Sequence, residues 1–123
     1  MRHKLTWCEI PVTDMQRAKA FYGEVLQCSI REENMENFNM AIFEGAPEEV
    51  SGMLVKGDGY EPSQTGAVVY LQGIDDLDAT LKRATDRGSK VLWPKTPIDD
   101  GSKGYFAQFL DSEGNRIGLY GMN

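Results

Sequence analysis

Apolar and polar residues alternate from Leu5 to Val12, with Leu5, Trp7 and Glu9 on one face and Thr6, Cys8, Ile10 and Val12 on the other. That period of two predicts a strand, and Pro11 suits its end or edge. From Asp14 the period lengthens. Met15, Ala18, Tyr22 and Val25 recur at three- and four-residue steps, and Phe21 and Leu26 widen the stripe. The spacing predicts a helix with Asp14 as its N-cap. Its apolar stripe needs a sheet to cover, and Ile10 and Val12 supply part of one, which turns Trp7 and Glu9 away from the helix. Ser29–Glu33 reads as a short strand, Glu32–Asn37 as a polar turn, Phe38–Phe43 as a strand, and Val50–Val55 as another after the turn residues Gly45–Glu49.

The second half repeats the order. Ala67–Leu71 predicts a strand, and Gln72-Gly73 a β-bulge. Asp75 or Asp76 caps a helix with Leu77, Leu81 and Ala84 inward, and Gly88 stands where a helix end needs a left-handed residue. Val91-Leu92-Trp93 is the next strand. Pro94–Lys103 reads as a long loop with two adjacent acids, Asp99 and Asp100, and is either a lid or a solvated connection. Two strand-like runs then flank Asp111-Ser112-Glu113-Gly114-Asn115, which predicts a closing hairpin. Shifted back by 66 residues, that hairpin places Ala107 on Ala41, Phe109 on Phe43, Gly118 on Gly52 and Leu119 on Met53. Each half reads strand, helix, then two or three strands, so the chain is a duplicated module: 1–56 and 66–123, joined by a Gly-, Pro- and Ser-rich linker at 57–65.

At 123 residues the two halves make one domain by size, with a shared core. The net charge of -6 argues against nucleic acid, whose phosphates need a Lys/Arg surface. No stretch of eighteen apolar residues predicts a membrane span, and Met1–Leu5 lacks the apolar run of a signal peptide. Two cysteines, Cys8 and Cys28, do not make a secreted disulfide framework, so a reducing cytoplasm is the expected setting.

The run Glu9-Ile10-Pro11-Val12-Thr13-Asp14-Met15-Gln16-Arg17-Ala18-Lys19-Ala20-Phe21-Tyr22 resembles the opening of the vicinal oxygen chelate superfamily, which includes glyoxalase I, bleomycin-resistance proteins and extradiol dioxygenases. Phe109–Ile117 resembles its closing hairpin, and with Tyr70–Asp76 the likeness spans essentially the whole chain. The resemblance implies an α+β fold of two tandem βαβββ modules forming a curved mixed sheet around a cavity, in a homodimer. Its catalytic members hold a divalent metal with His and Glu from both modules. Carried onto this chain, the ligand positions are Trp7, Val69 or Val68, Gly52 and Gly118. None offers the N, O or S donors such a site needs. His3, four residues before Trp7 on the same parity, starts about 13 Å away at about 3.3 Å per residue. The expectation is a site with no metal cofactor.

Strand alternation gives the candidate lining: Trp7, Glu9, Gly52, Leu54, Tyr70, Gln72, Phe106, Gln108, Gly118 and Tyr120, with Trp93 at the opening. Aromatic surface with a few polar groups suits a small organic molecule. The sequence thus supports a binding protein for an aromatic or amphipathic ligand, with the acidic chain favouring a cation. The other reading is a lyase or isomerase with Glu9 as general base, enclosed and raised in pKa, or with a metal held by other donors.

Overall fold

The computed structural model describes residues 4–73 and 76–123. His3 and Asp75, considered above as a donor and a cap, lie outside the described residues. Strand β1 (Trp7–Pro11) leads through helix α1 (Met15–Leu26) to β2 (Ile30–Met35), β3 (Phe38–Phe43) and β4 (Ser51–Lys56). The second half runs β5 (Val69–Gln72), α2 (Leu77–Asp86), β6 (Val91–Pro97), β7 (Tyr105–Leu110) and β8 (Arg116–Gly121). Each half folds as its own four-stranded mixed sheet, ordered β1-β4-β3-β2 and β5-β8-β7-β6. The first and last strands of each half pair in parallel, and the rest are antiparallel. Asp14 and Asp76 cap the helices by accepting from the amides of Arg17 and Ala79, as the side-chain chemistry of an N-cap requires.

One helix covers one face of each sheet, and the two helices touch. Ile10, Val12, Phe21, Tyr22, Val25 and Leu54 from the first half join Leu77, Ala107, Phe109, Ile117 and Leu119 from the second in a single buried cluster. Each large apolar side chain taken from water there stabilises by about 1.5–3 kcal/mol. Phe21 and Phe109 meet across the module boundary with ring centroids 6.1 Å apart.

Three expectations are corrected. The β2 strand runs on to Met35 and leaves only Glu36-Asn37 to turn, with Glu36 at φ 28°. Gly73 makes no bulge. The β5–β8 register is unbroken through Gln72, and the Gly73 amide extends the ladder to the Tyr120 carbonyl at 2.9 Å. A Cβ on Gly73 would lie 3.3 Å from Leu77, so glycine there lets α2 approach the sheet. The Pro94–Lys103 loop is shorter than expected, because β6 absorbs Pro94 and Pro97. An edge strand tolerates a missing N–H, and its pairing with β7 shifts register twice.

The closing turn locks the halves together. Glu113, whose side chain is fully covered, accepts from the Thr13 and Asp14 amides at 2.9 and 2.8 Å and from Arg17 Nε at 2.7 Å. It therefore sits on the first turn of α1, where free N–H groups and the helix dipole favour an anion. Asn115 donates to the Pro11 carbonyl at 2.7 Å, and the buried Tyr22 hydroxyl donates to Asp111 at 2.6 Å. Burial alone would raise the Glu113 carboxyl, but the hydrogen bonds from Arg17, Asp14 and Thr13 outweigh it and hold the pKa at about 2.

Glu113→Ala should lower unfolding free energy by about 2 kcal/mol in urea titrations, the scale for losing charge-assisted hydrogen bonds. A pKa depressed from 4.5 to about 2 gives stability that is complete above pH 4.5 and is lost as pH falls toward 2. Thermal melts of the wild type should show that loss, and the variant should lack this component of it.

Candidate functional site

The face of each sheet away from its helix is open. On the first sheet it carries Trp7 opposite Ser51 and Glu9 opposite Met53. Trp7 is 44% exposed, and Glu9 accepts a 2.7 Å hydrogen bond from the Tyr60 hydroxyl. Tyr60 comes from the linker and stacks edge-on against Phe38 at 5.8 Å, so the linker lies docked over this face. Glu9 is exposed on the sheet surface rather than enclosed.

The second sheet presents the richer surface. Tyr70 and Phe106 meet edge to face at 6.5 Å, and Trp93 lies over Phe106 at 6.0 Å with its plane tilted by 32°. Tyr70, Phe106, Tyr120 and Ile98 line an apolar depression of about 390 Å³. Tyr120 pins the neighbouring loop by donating to the Lys103 carbonyl at 2.8 Å. Gly118 lies beneath Tyr70, and a Cβ there would stand 2.4 Å from its ring carbons. Glycine is what lets the phenol lie flat on the strand. Gln108 donates to the Tyr70 oxygen at 2.7 Å and accepts from Arg116 at 2.8 Å.

A second hollow of about 360 Å³ opens at the seam between the modules, and it brings Trp7, Gly52, Tyr70 and Gln72 together with Cys8 and Cys28. Burial, and then the neighbouring Glu9 carboxylate, push the Cys8 thiol up, and burial pushes up Cys28. Both thiols are held protonated and are poor nucleophiles.

Two of the expected lining residues are misplaced by a register slip. Ala41 lies opposite Leu54, and Ala107 opposite Leu119, so the halves match at a shift of 65 residues in β4 and β8, although 66 holds for β3 and β7. The turn before β4 is one residue longer than the closing turn, and a one-residue slip moves every side chain to the other face. Leu54, expected in the cavity, is 0% exposed and packs in the helix-facing core beside Ile10. Gly52 pairs with Cys8 on that helix-facing side, where a Cβ would lie 2.3 Å from the Cys8 sulfur, so it reaches the seam hollow but not the open face. Met53 takes the place assigned to Gly52 on the open face. Val69 pairs with Ile117 and so lies on the opposite parity to Tyr70, and Val68 stands just before the strand begins. Arg116 was missed, although its spacing of two from Gly118 marks it for that face.

The four positions that correspond to the expected cation ligands are therefore Trp7, Met53, Val68 and Gly118. They offer an indole, a thioether, an isopropyl group and a bare α-carbon, a set that does not fit zinc or a harder divalent ion. Among the described residues no three His, Cys, Asp or Glu side chains gather to replace them. Among the described residues, too, no helix is long and apolar enough to cross a membrane.

Two βαβββ halves, each with one face of its sheet under a helix and the other open, define a paired-module α+β protein. The sequence profile of the Glyoxalase/Bleomycin resistance protein/Dioxygenase superfamily matches residues 4–119, and the chain belongs to that superfamily. No curated protein matches it. Among solved structures it is similar to TnmS3, an antibiotic binding protein from Streptomyces sp. CB03234, at 28% identity over 98% of this chain and 96% of that one, with a TM-score of 0.66. A glyoxalase I mutant from Zea mays shares the fold at 21% identity and a TM-score of 0.71, and this chain spans 46% of its length. A mutant of the fosfomycin resistance protein FosX from Listeria monocytogenes, complexed with Mn(II), shares it at 18% identity over 98% of this chain and 90% of that one, with a TM-score of 0.64.

Replacing the two strand glycines should separate their roles. Gly52→Ala puts a Cβ 2.6 Å from the Cys8 carbonyl oxygen, which the ladder holds fixed, and should cost about 2 kcal/mol in chemical denaturation. Gly118→Ala first meets the Tyr70 side chain, which can move where a backbone carbonyl cannot, and should cost less than Gly52→Ala, about 1 kcal/mol. A structure of that variant should show Tyr70 lifted off the strand and its hydrogen bond from Gln108 broken.

Proposed function

We propose that this chain is a binding protein that holds a planar aromatic or amphipathic molecule without a metal ion and without transforming it. The observation that carries the reading is the contiguous ring surface of Tyr70, Phe106 and Trp93 on the open face of the second sheet. Stacked rings give a flat ligand large contact area at low entropy cost. The kinship with an antibiotic binding protein over nearly the whole of both chains supports it. The net charge of -6 favours a cationic aromatic over an anionic one. Trp7, Tyr70 and Trp93 are 44%, 46% and 50% exposed, and a homodimer that closes over a ligand lying on these rings belongs to the same reading. So does a reducing cytoplasm, in which Cys8 and Cys28 stay free.

A second reading rests on Glu9, a carboxylate on the open face of the first sheet with a phenol as its partner. There it is the general base of a glyoxalase-type lyase or isomerase.

Titration with 9-aminoacridine, a flat cation, should quench tryptophan fluorescence saturably, and Trp93→Ala should weaken binding about tenfold. Binding that ignores Trp93 and Phe106 contradicts the proposal. Glu9→Gln should leave binding unchanged. Turnover of a bound compound that disappears in Glu9→Gln would establish the second reading instead.

A further inference from the structure

Resting on the binding reading above, the hydrogen-bond directions beside the ring platform narrow the class of ligand. Arg116 Nη1 lies 2.8 Å from Gln108 Oε1, and a guanidinium only donates. The Gln108 oxygen is therefore committed to Arg116, and the amide must present its NH₂ end to Tyr70. That contact is 2.7 Å, with Gln108 Nε2 donating to the Tyr70 oxygen. A phenol carries one proton, and this one does not point at Gln108. Among the described residues no acceptor for the Tyr70 O–H is present, and the side chain is 46% exposed. Arg116 is itself fixed from behind, because its Nε donates to the Gln64 carbonyl at 3.1 Å while its backbone amide donates to Ser63 at 3.2 Å. The docked linker thus orients the guanidinium, the guanidinium orients the amide, and the amide orients the phenol.

We infer that Tyr70 is a specificity-determining hydrogen-bond donor, aimed away from Gln108 at the edge of the platform, and that the ligand is a planar aromatic bearing an acceptor oxygen, such as a ring carbonyl, at that edge. Gln108 and Arg116 are positioning residues. They stabilise the orientation in which the Tyr70 proton is free for the ligand. A ligand whose edge offers only N–H or O–H donors meets the same phenol without that bond.

The test uses two flat probes of nearly the same shape, 9-fluorenone and fluorene, which differ by the carbonyl. Dissociation constants come from equilibrium dialysis against the full chain. Fluorene reports stacking alone, and the ratio of the two constants reports the donor. The wild type should favour fluorenone, and Tyr70→Phe should shrink that preference about fivefold while leaving fluorene within about twofold of the wild type. Gln108→Glu is the second arm. A carboxylate only accepts, so it keeps Arg116 but takes the Tyr70 proton for itself, and the fluorenone preference should fall as it does in Tyr70→Phe. A simple structural role for Gln108 would weaken both probes together. The inference is overturned if the wild type binds both probes equally, or if the preference survives in both variants, and in either case the platform reading stands as long as fluorene binds. If neither probe binds the wild type, platform and donor fail together.

Discussion

The carboxylate of Glu113, carried by the last turn of the chain, sits on the first turn of α1 and is held there by two backbone amides and the Arg17 side chain. This is a contact between halves that would each be marginal alone, since a module of about sixty residues buries only about 60% of the surface its unfolded chain exposes. Asn115 and Asp111 extend it to the Pro11 carbonyl and the Tyr22 hydroxyl. The consequence reaches the open face. Asn115 also accepts from the Ser63 amide at 2.9 Å, and the next residue, Arg116, grips the linker at Gln64. The same turn therefore fixes the modules, docks the linker, and sets the guanidinium from which the Gln108–Tyr70 relay begins.

Much of this was legible in the chain because it follows from local rules. Helix stripes such as Met15, Ala18, Tyr22 and Val25, and caps such as Asp14, depend on spacing and side-chain chemistry alone. The shared face of the second sheet was legible too: Tyr70, Gln72, Phe106, Gln108, Gly118 and Tyr120 lie on one side of it, as strict alternation from a correct anchor requires. Leu54 and Gly52 were misplaced because the anchor for β4 came from the internal repeat, and a repeat carries register only when the turns between its strands have equal length. The β6 edge was hidden for a different reason. Prolines 94 and 97 argue against a strand locally, and only the sheet's edge, a tertiary fact, makes room for them. The Arg116 relay needed the linker's course, which no periodicity encodes.

Read together, the two open faces differ in what they bring to a ligand. The first offers an indole and a carboxylate under a linker tyrosine. The second offers three rings and an oriented phenol. The resemblance to metal-dependent members of the superfamily implies donors gathered from both modules onto one ion. Here the corresponding positions are apolar or empty, and on the binding reading proposed above the anchor is stacking together with the direction of a single O–H group.

On the reading proposed above, recognition at this site is independent of a metal ion. The most direct measurement is elemental analysis of the purified protein before and after dialysis against EDTA, paired with a repeat of the aromatic-ligand titration on the same samples. The account predicts no divalent ion in stoichiometric amount and a dissociation constant that neither chelation nor added Mn(II) or Zn(II) changes. An ion that survives dialysis at one per chain, with ligand binding lost when it is finally stripped, would contradict it.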